Sequence, residues 1–228
     1  MIKVAQCWDD GVYTDVRLIE LLKKYKAKAT FNLCPGFMQE ESEKYSWAPL
    51  GYKGWSHNGF IGGRVGKKDL LDVYGDFKVA SHCWNHETAG WVEPEAFAKG
   101  AVDARKFLED VFQKECPGFA WPCGQVTDDA IKVLEDNGFA YARTVANVEN
   151  PKAYKSPFRL DANCHFMNRD FWAKFQKAKA DNVEFFYFWG HSYEMLDCDG
   201  LWKQFEDKLA ALSADPDVVW VDVVDIVR

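Results

Sequence analysis

Short apolar stretches alternate along the chain with longer segments in which apolar residues recur at helical spacing. The stretches of strand length are residues 2–8, 29–33, 78–81, 119–121, 141–144, 184–189 and 218–221. The segments of helical spacing are residues 15–26, 93–111, 127–137, 171–178 and 201–212. Strands that alternate with helices in this way predict repeated βαβ units, which form a parallel sheet with right-handed crossovers.

About seven strands of this kind favour a closed or nearly closed α/β barrel, formed by a single domain that spans residues 1–228. The alternation is interrupted at residues 35–67, which are rich in glycine, aromatic and polar residues. We expect a long loop insertion there, and loops of this length in a compact domain are usually functional or disordered.

Composition and charge exclude several classes of protein. Apolar residues make up 48% of the sequence, as in ordinary globular proteins, and the formal net charge is −7. An acidic chain repels phosphate backbones, so we expect no nucleic-acid partner. No apolar run approaches the ~18 residues that cross a bilayer, so we expect no membrane partner. Asp9 comes too early to leave room for the apolar core of a signal peptide, and a cytoplasmic location is expected.

The cysteines also limit the class of protein. There are seven, with no C-x-x-C pair among them. This pattern argues against a disulfide framework and against a structural zinc cluster. Reduced thiols are the simplest interpretation.

Polar residues that can do chemistry follow several of the predicted strands directly. Asp9 and Asp10 follow the first strand, and His82 and His86 follow the strand at 78–81. Pro122-Cys123-Gly124 and His191 end two further strands. In a parallel α/β barrel all carboxyl ends of the strands open onto one face, where the active site lies. We therefore expect these residues to meet in one cleft.

Two of these clusters have the composition of a metal site. His82 and His86 lie four residues apart, so both imidazoles can reach one ion, and a carboxylate from Asp10 or Asp9 would complete a three-ligand set with a position left for water. Zinc is the expected ion, although cobalt or nickel could replace it. Because consecutive side chains point in different directions, one aspartate could bind the metal while the other accepts a proton. The alternative is a pair of hydrogen-bonded loop histidines beside a solvated turn.

His191 is a candidate general acid, because imidazole titrates near neutrality and the residue follows a strand. The alternative is a structural histidine. His57 and His165 lack a comparable setting and are expected to be structural or at the surface. Gly190-His191-Ser192-Tyr193-Glu194 has no glycine after the serine, so it does not match the nucleophile elbow of a serine hydrolase.

In order along the chain, four motifs resemble those of the polysaccharide deacetylase family of carbohydrate esterases. They are Trp8-Asp9-Asp10-Gly11, His82-x-x-x-His86, Trp121-Pro122-Cys123-Gly124 and Trp189-Gly190-His191. The resemblance implies a distorted (β/α) barrel and one divalent metal ion. It also implies a hydrolase that removes acetyl groups from an acetylated carbohydrate, either an N-acetylglucosamine-type or an O-acetyl sugar.

The resemblance also assigns roles to individual positions. It implies Asp9 as the catalytic base, Asp10, His82 and His86 as the metal ligands, His191 as the acid, and the backbone amide of Cys123 as a donor to the oxyanion. Trp121 and Trp189 are expected to line the cleft, although tryptophan beside a strand is as often part of the core.

The sequence departs from the family pattern at several positions. Ala120 replaces the arginine that often opens the third motif, so another residue must orient Asp9, and Arg159 is the candidate. The aspartate of the fourth motif, which tunes the acid histidine, has no clear match, and Asp161 is the candidate. Cys83 stands where a serine or threonine usually follows the first metal histidine.

Two other functions remain open at this point. A hydrolase on the same scaffold could cleave C–N bonds in small cyclic amides or imides, because the metal chemistry does not require a sugar. A non-catalytic carbohydrate-binding relative is the second alternative. The missing arginine favours that relative, whereas the presence of Asp9 and His191 argues against it.

Overall fold

A computed structural model describes all residues from 1 to 228. The strands are Ile2–Asp10 (β1), Thr30–Leu33 (β2), Ser46–Trp47 (β3), Phe60–Ile61 (β4), Lys78–Ser81 (β5), Gly118–Ala120 (β6), Tyr141–Asn147 (β7), Leu160–Ala162 (β8), Cys164–His165 (β9), Phe185–Gly190 (β10) and Val218–Trp220 (β11). The helices are Asp15–Lys24 (α1), Leu70–Tyr74 (α2), Pro94–Phe112 (α3), Asp128–Asp136 (α4), Phe171–Ala180 (α5) and Leu201–Ala214 (α6).

The main sheet is the predicted parallel α/β barrel. Its strands follow the order β8-β7-β6-β5-β2-β1-β10-β9, and β11 pairs with the first residues of β1. Every pairing within this sheet is parallel. The helices cover its outer surface, so the strands are buried on both faces, as is usual for parallel sheets.

Asn163 lies between the two end strands, β8 and β9, and links the edges of the nearly closed barrel. The side-chain amide of Asn163 donates to the carbonyls of Val148 and Glu149, at 3.1 and 2.8 Å. Its side-chain oxygen accepts from the backbone amide of Tyr187 at 2.7 Å, and its own amide donates to the Tyr187 carbonyl at 2.7 Å. One buried side chain therefore joins the β7 side of the seam to β10.

Alternate residues of each strand pack on opposite faces of the barrel wall, as the pleat requires. In β1, Val4 and Trp8 belong to the core under the helices, whereas Ala5 and Cys7 pack with Tyr187 inside the barrel. The same alternation places Asp9 on the inward side, directly above Cys7. The strand register therefore decides which polar residues reach the top of the barrel interior.

Most of the predicted elements are confirmed, with shifted ends. The first strand continues to Asp10 because it pairs with β2 as far as the Asp10–Leu33 step. Thr127 caps α4 as predicted, since its side chain accepts from the amide of Ala130 at 3.2 Å. The sequence did not predict α2, β8 or β9, all five residues or shorter.

Residues 35–67 contain the two-residue strands β3 and β4, which pair antiparallel, and are otherwise irregular. Their description as a loop insertion stays a prediction. All seven cysteines are unpaired. No helix has the length and apolar character that crossing a bilayer requires.

Candidate active site

A cavity of about 840 Å³ opens at the carboxyl ends of the barrel strands. The predicted site residues that line it are Asp9, Asp10, His82, His86, Trp121, Cys123, Trp189 and His191. Residues from the 35–67 segment form the opposite wall. The structure thus brings together side chains from β1 and from the loops that follow β5, β6 and β10, where a parallel barrel places its active site.

Four non-glycine residues of this face have left-handed backbone conformations. The φ angles are 82° at Asp10, 61° at Cys83, 58° at His86 and 53° at Cys123. Such conformations cost energy in non-glycine residues, and they concentrate at functional sites where a side chain or amide needs an unusual direction. Their grouping here supports a functional role for this end of the barrel.

Asp9 is buried with two partners. The side-chain amide of Asn32 donates to its Oδ1 at 2.7 Å, and the guanidinium of Arg143 forms a short ion pair with its Oδ2. Burial alone would raise the pKa of Asp9, but the charge of Arg143 and the hydrogen bond from Asn32 help to hold that pKa well below its usual range. Asp9 is therefore an ionised carboxylate at neutral pH.

The arginine that contacts Asp9 is Arg143, whereas the sequence analysis had named Arg159. Arg159 instead donates to Asp128 at 2.9 Å in an exposed pair, so it does not orient Asp9. In the sheet, Arg143 pairs in register with Ala120, the position at which the family arginine is missing. The charge beside Asp9 therefore comes from the neighbouring strand, at the same height as Ala120. The available signal was a charged residue in the otherwise apolar strand at 141–144.

His82 has the bonding pattern of a metal ligand. Its Nδ1 lies 2.8 Å from the carbonyl of Ala120 and donates to it, so in the neutral ring Nε2 carries the lone pair. Burial lowers the pKa of His82 to about 4, which keeps the ring neutral at pH 7. Nε2 lies 3.8 Å from Oδ1 of Asp10. Two electron-pair donors face each other there, an arrangement that suits a cation between them.

The third ligand has two candidates. The ring of His86 lies edge-on to that of His82, with 4.7 Å between centroids. Cys34, which the sequence did not suggest, has its sulfur within 4.8 Å of the donor atoms of Asp10 and His82. Burial raises the pKa of the Cys34 thiol well above its usual value, and the thiol donates a hydrogen bond to the His82 carbonyl at 3.1 Å. The donor chemistry fits a divalent ion such as zinc, and the set Asp10, His82 and His86 stays a prediction.

His191 is supported by a carboxylate and a second histidine. Its Nδ1 lies 3.4 Å from Oε2 of Glu194, an ion-pair distance without hydrogen-bond alignment, and the backbone amide of His191 donates to that oxygen at 2.9 Å. Although burial lowers the pKa of His191, Glu194 and the two site aspartates raise it to about 9. His191 is therefore protonated at neutral pH, and its Nε2 lies 3.9 Å from Oδ2 of Asp9.

His165 contacts the same carboxylate of Glu194. Its Nδ1 accepts from the amide of Met167 at 3.3 Å, so the proton is on Nε2, which lies 3.0 Å from Oε2 of Glu194. Burial would raise the pKa of Glu194, but His165 and His191 lower it to about 2. His165, which was expected to be structural or at the surface, therefore contacts the carboxylate that faces His191.

Asp161, the predicted partner of His191, forms no ion pair or hydrogen bond with it. Its carboxylate accepts a short hydrogen bond from the hydroxyl of Thr144. The carboxylate that lies beside His191 is that of Glu194, not that of Asp161. The available signal was its spacing of three residues from His191.

The two predicted tryptophans differ in their surroundings. Trp121 is almost fully buried, donates to the Phe158 carbonyl at 2.8 Å and stacks on Phe97, so it belongs mainly to the core. Trp189 lies under the guanidinium of Arg143, 4.6 Å from the ring centroid. Trp189 thus supports the arginine that holds Asp9.

Comparison with protein families adds to this geometry. A family model described as polysaccharide deacetylase matches residues 2–142, which is more than half of the chain. No curated protein matches the sequence.

Several solved structures share the fold. A Mycobacterium smegmatis protein assigned to the polysaccharide deacetylases is 15% identical, has a TM-score of 0.65, and is matched over 100% of this chain and 90% of its own. A family 4 acetyl xylan esterase from Clostridium thermocellum, in complex with a cobalt ion, is 11% identical with a TM-score of 0.59, over 98% of this chain and 89% of its own. A CE4 family pseudoenzyme from Bacillus anthracis is 13% identical with a TM-score of 0.59, over 99% of this chain and 65% of its own. At these identities the likeness shows the fold.

Proposed function

The chain belongs to the polysaccharide deacetylase family, and from this premise we propose that it is a metal-dependent hydrolase that removes acetyl groups from an acetylated carbohydrate. The observation that carries the proposal is the meeting of a buried carboxylate and an imidazole in one cavity. Asp9 and His191 lie 3.9 Å apart there, beside the facing donor atoms of Asp10 and His82.

Asp10, His82 and His86 are the residues that would hold the metal ion. When bound, a divalent ion of this kind polarises the acyl oxygen and makes the attacking water more acidic. The hydrogen bond from His82 to the Ala120 carbonyl keeps the metal-facing nitrogen free of a proton. Zinc is the ion that we propose, with cobalt or nickel as substitutes.

Asp9 is the proposed base, which accepts the proton of the attacking water. The low pKa of Asp9 keeps it ionised, and the contacts from Asn32 and Arg143 fix its orientation. Fixed orientation matters because a general base must lie within hydrogen-bond reach of the proton that it removes.

His191 is the proposed acid, which protonates the departing amine or alkoxide. Its pKa of about 9 keeps the proton on the ring through the neutral range. The backbone amide of Cys123 is the proposed donor to the developing oxyanion, and one well-aimed donor of this kind contributes ~3–4 kcal/mol. The left-handed conformation of Cys123 turns its peptide group out of the direction of the preceding strand.

One experiment tests the proposal against its alternatives. Metal content is measured together with acetate release from chitooligosaccharides, acetylated xylan and peptidoglycan fragments, and with hydrolysis of small cyclic amides. We expect one divalent ion per chain and acetate from at least one saccharide. His82→Gln should lose both, whereas His57→Gln, a matched change outside the proposed ligand set, should keep the ion.

Two results would contradict the proposal. Amide hydrolysis without acetate release would favour the C–N hydrolase. Sugar binding with a full complement of metal, but with no turnover of any acetyl substrate, would favour the non-catalytic relative.

A further inference from the structure

Two arginines line the cavity, and only one of them has a carboxylate partner. Arg143 is paired with Asp9, as described above. Arg64 has no carboxylate within 4.0 Å, although its side chain is partly buried. One terminal nitrogen of Arg64 donates to the Gly63 carbonyl at 3.1 Å, and its buried Nε has no hydrogen-bond partner. The cavity is therefore lined by a cation that has no carboxylate partner in the protein.

The backbone around Arg64 is held rigidly next to the site aspartates. Arg64 and Glu43 exchange two backbone hydrogen bonds of 2.9 Å, and the amide of Val65 donates to the carbonyl of Gly11 at 3.2 Å. A Cβ atom at Gly63, where φ is +63°, would lie 2.1 Å from the Glu43 carbonyl oxygen. Such close approach leaves the two backbone segments little freedom. These contacts fix the backbone of Arg64 close to Gly11, the residue that follows Asp10.

Apolar and aromatic side chains lie around Arg64 on the cavity wall. Phe37 lies under its guanidinium at 5.5 Å, and Tyr52, Trp55 and Ile61 extend the same wall of the cavity. In such a partly buried setting solvent screens an opposite charge less than at an open surface, so a guanidinium there attracts an anion more strongly. A ligand that brings an anion would supply the missing partner.

Glu43 is the alternative partner within the chain. In a hydrogen-bonded antiparallel pair the two side chains lie on the same face, so Glu43 and Arg64 are neighbours. Glu43 is exposed, however, and its carboxylate lies beyond 4.0 Å from the guanidinium. An exposed carboxylate remains hydrated and competes weakly with an anion that enters the cavity.

We propose that Arg64 binds a carboxylate on the substrate, so that the enzyme acts on an acetylated saccharide that carries an acidic group. The guanidinium fork matches a planar carboxylate through two parallel N–H···O bonds, which the two terminal nitrogens of Arg64 would donate. This inference rests on the proposed function and adds the chemical class of its substrate. The acetyl group would lie at Asp9 and His191, with the carboxylate toward the 35–67 wall.

The test compares two acetylated disaccharides that differ only in a uronic acid carboxylate and its methyl ester. We expect the wild-type protein to prefer the acid in kcat/KM by about 10- to 100-fold, the usual range for a hydrogen bond to a charged group. Arg64→Met should reduce this ratio to near one. Arg159→Met removes an arginine whose ion pair lies with Asp128 and should leave the ratio unchanged.

Several outcomes would overturn the inference. These are a wild-type ratio near one, or an Arg64→Met variant that loses activity equally on both substrates. A preference for the acid that emerges only in Glu43→Gln would mean that Glu43 already neutralises Arg64. If neither disaccharide releases acetate although a saccharide of the earlier panel does, the inference fails and the proposed function stands. If no saccharide releases acetate, the proposed function fails, and calorimetric binding of the two disaccharides to the wild-type protein and to Arg64→Met still decides the role of Arg64.

Discussion

Two fully buried aspartates near the amino terminus show how neighbouring groups set the state of the same side chain. Asp9 is 2% exposed and Asp15 is 0% exposed. Asp9 faces the cavity and is paired with Arg143, which helps to hold its pKa well below the usual range. Asp15 accepts hydrogen bonds from the hydroxyls of Ser192 and Tyr74, at 2.5 and 2.8 Å, and burial raises its pKa to about 7.

The difference lies in the partners, because burial is the same. Neutral hydroxyl groups offset only part of the desolvation of a carboxylate, whereas a guanidinium provides the opposite charge. The region around Asp9 can therefore take part in proton transfer. The hydrogen bonds of Asp15 connect α1 with Tyr74 of α2 and with Ser192, which follows His191. The region around Asp15 therefore holds these elements together.

The largest expected difference between the two regions is in turnover. Asp9→Asn should lower kcat by about 10²–10⁴-fold, the usual contribution of a general base, while metal content is retained. Asp15→Asn, the matched substitution at equal burial, should lower it far less. Acetate release and metal analysis on both variants check this, with circular dichroism to confirm folding. Near-normal activity of Asp9→Asn would refute the assigned base.

The next difference is in stability. Arg143→Met leaves the Asp9 carboxylate buried without its counter-charge, so we expect the free energy of unfolding to fall by about 3–5 kcal/mol. Arg159→Met breaks only an exposed pair and should change it little. Urea denaturation of both variants measures the two values. Equal effects would mean that the buried pair does not hold the site together.

A smaller effect is expected on the pH dependence of activity. His191 should lose its proton near pH 9, so activity should fall above that pH, while Asp9 stays ionised throughout the neutral range. Glu194→Gln removes the adjacent negative charge, and the alkaline fall should move to lower pH by about one to three units. Glu149→Gln, a control at an exposed glutamate, should leave the profile in place. An unmoved profile in Glu194→Gln would argue that another group is the acid.

The last comparison concerns Asp15, whose effect is small per unit of pH. With a folded-state pKa of about 7 and an ordinary value of 3.8, the folded protein binds more protons than the unfolded chain between these pH values. The free energy of unfolding should therefore fall as the pH rises through that interval, by at most about 1.4 kcal/mol per pH unit from this group. Asp15→Asn should remove this part of the slope. Identical slopes in the two proteins would show that Asp15 is ionised when folded.

Several features of the site could be predicted from local pattern. Asp10, His82 and His191 each follow an apolar stretch of strand length, and the carboxyl ends of parallel strands share one face. That rule requires only the order of the elements, so it placed all three residues in one cavity. The alternation of strands and helices likewise identified the barrel.

The partners of these residues were not predictable in the same way. Arg159 and Asp161 were chosen by their place along the chain, whereas Arg143 and Glu194 make the contacts. Arg143 reaches Asp9 because β7 places it level with Ala120 on the inner face of the barrel.

The amino-acid pattern specified the barrel, the end at which its chemistry is placed, and the aspartate and histidine residues that line the cavity. The tertiary structure decided which charges are paired. Arg143 is paired with Asp9, whereas Arg64 has no carboxylate partner. The reason is that periodicity and strand order are properties of neighbouring residues. A contact across the barrel depends instead on the register and twist of strands that lie far apart in the chain, and a shift of one residue turns a side chain to the opposite face.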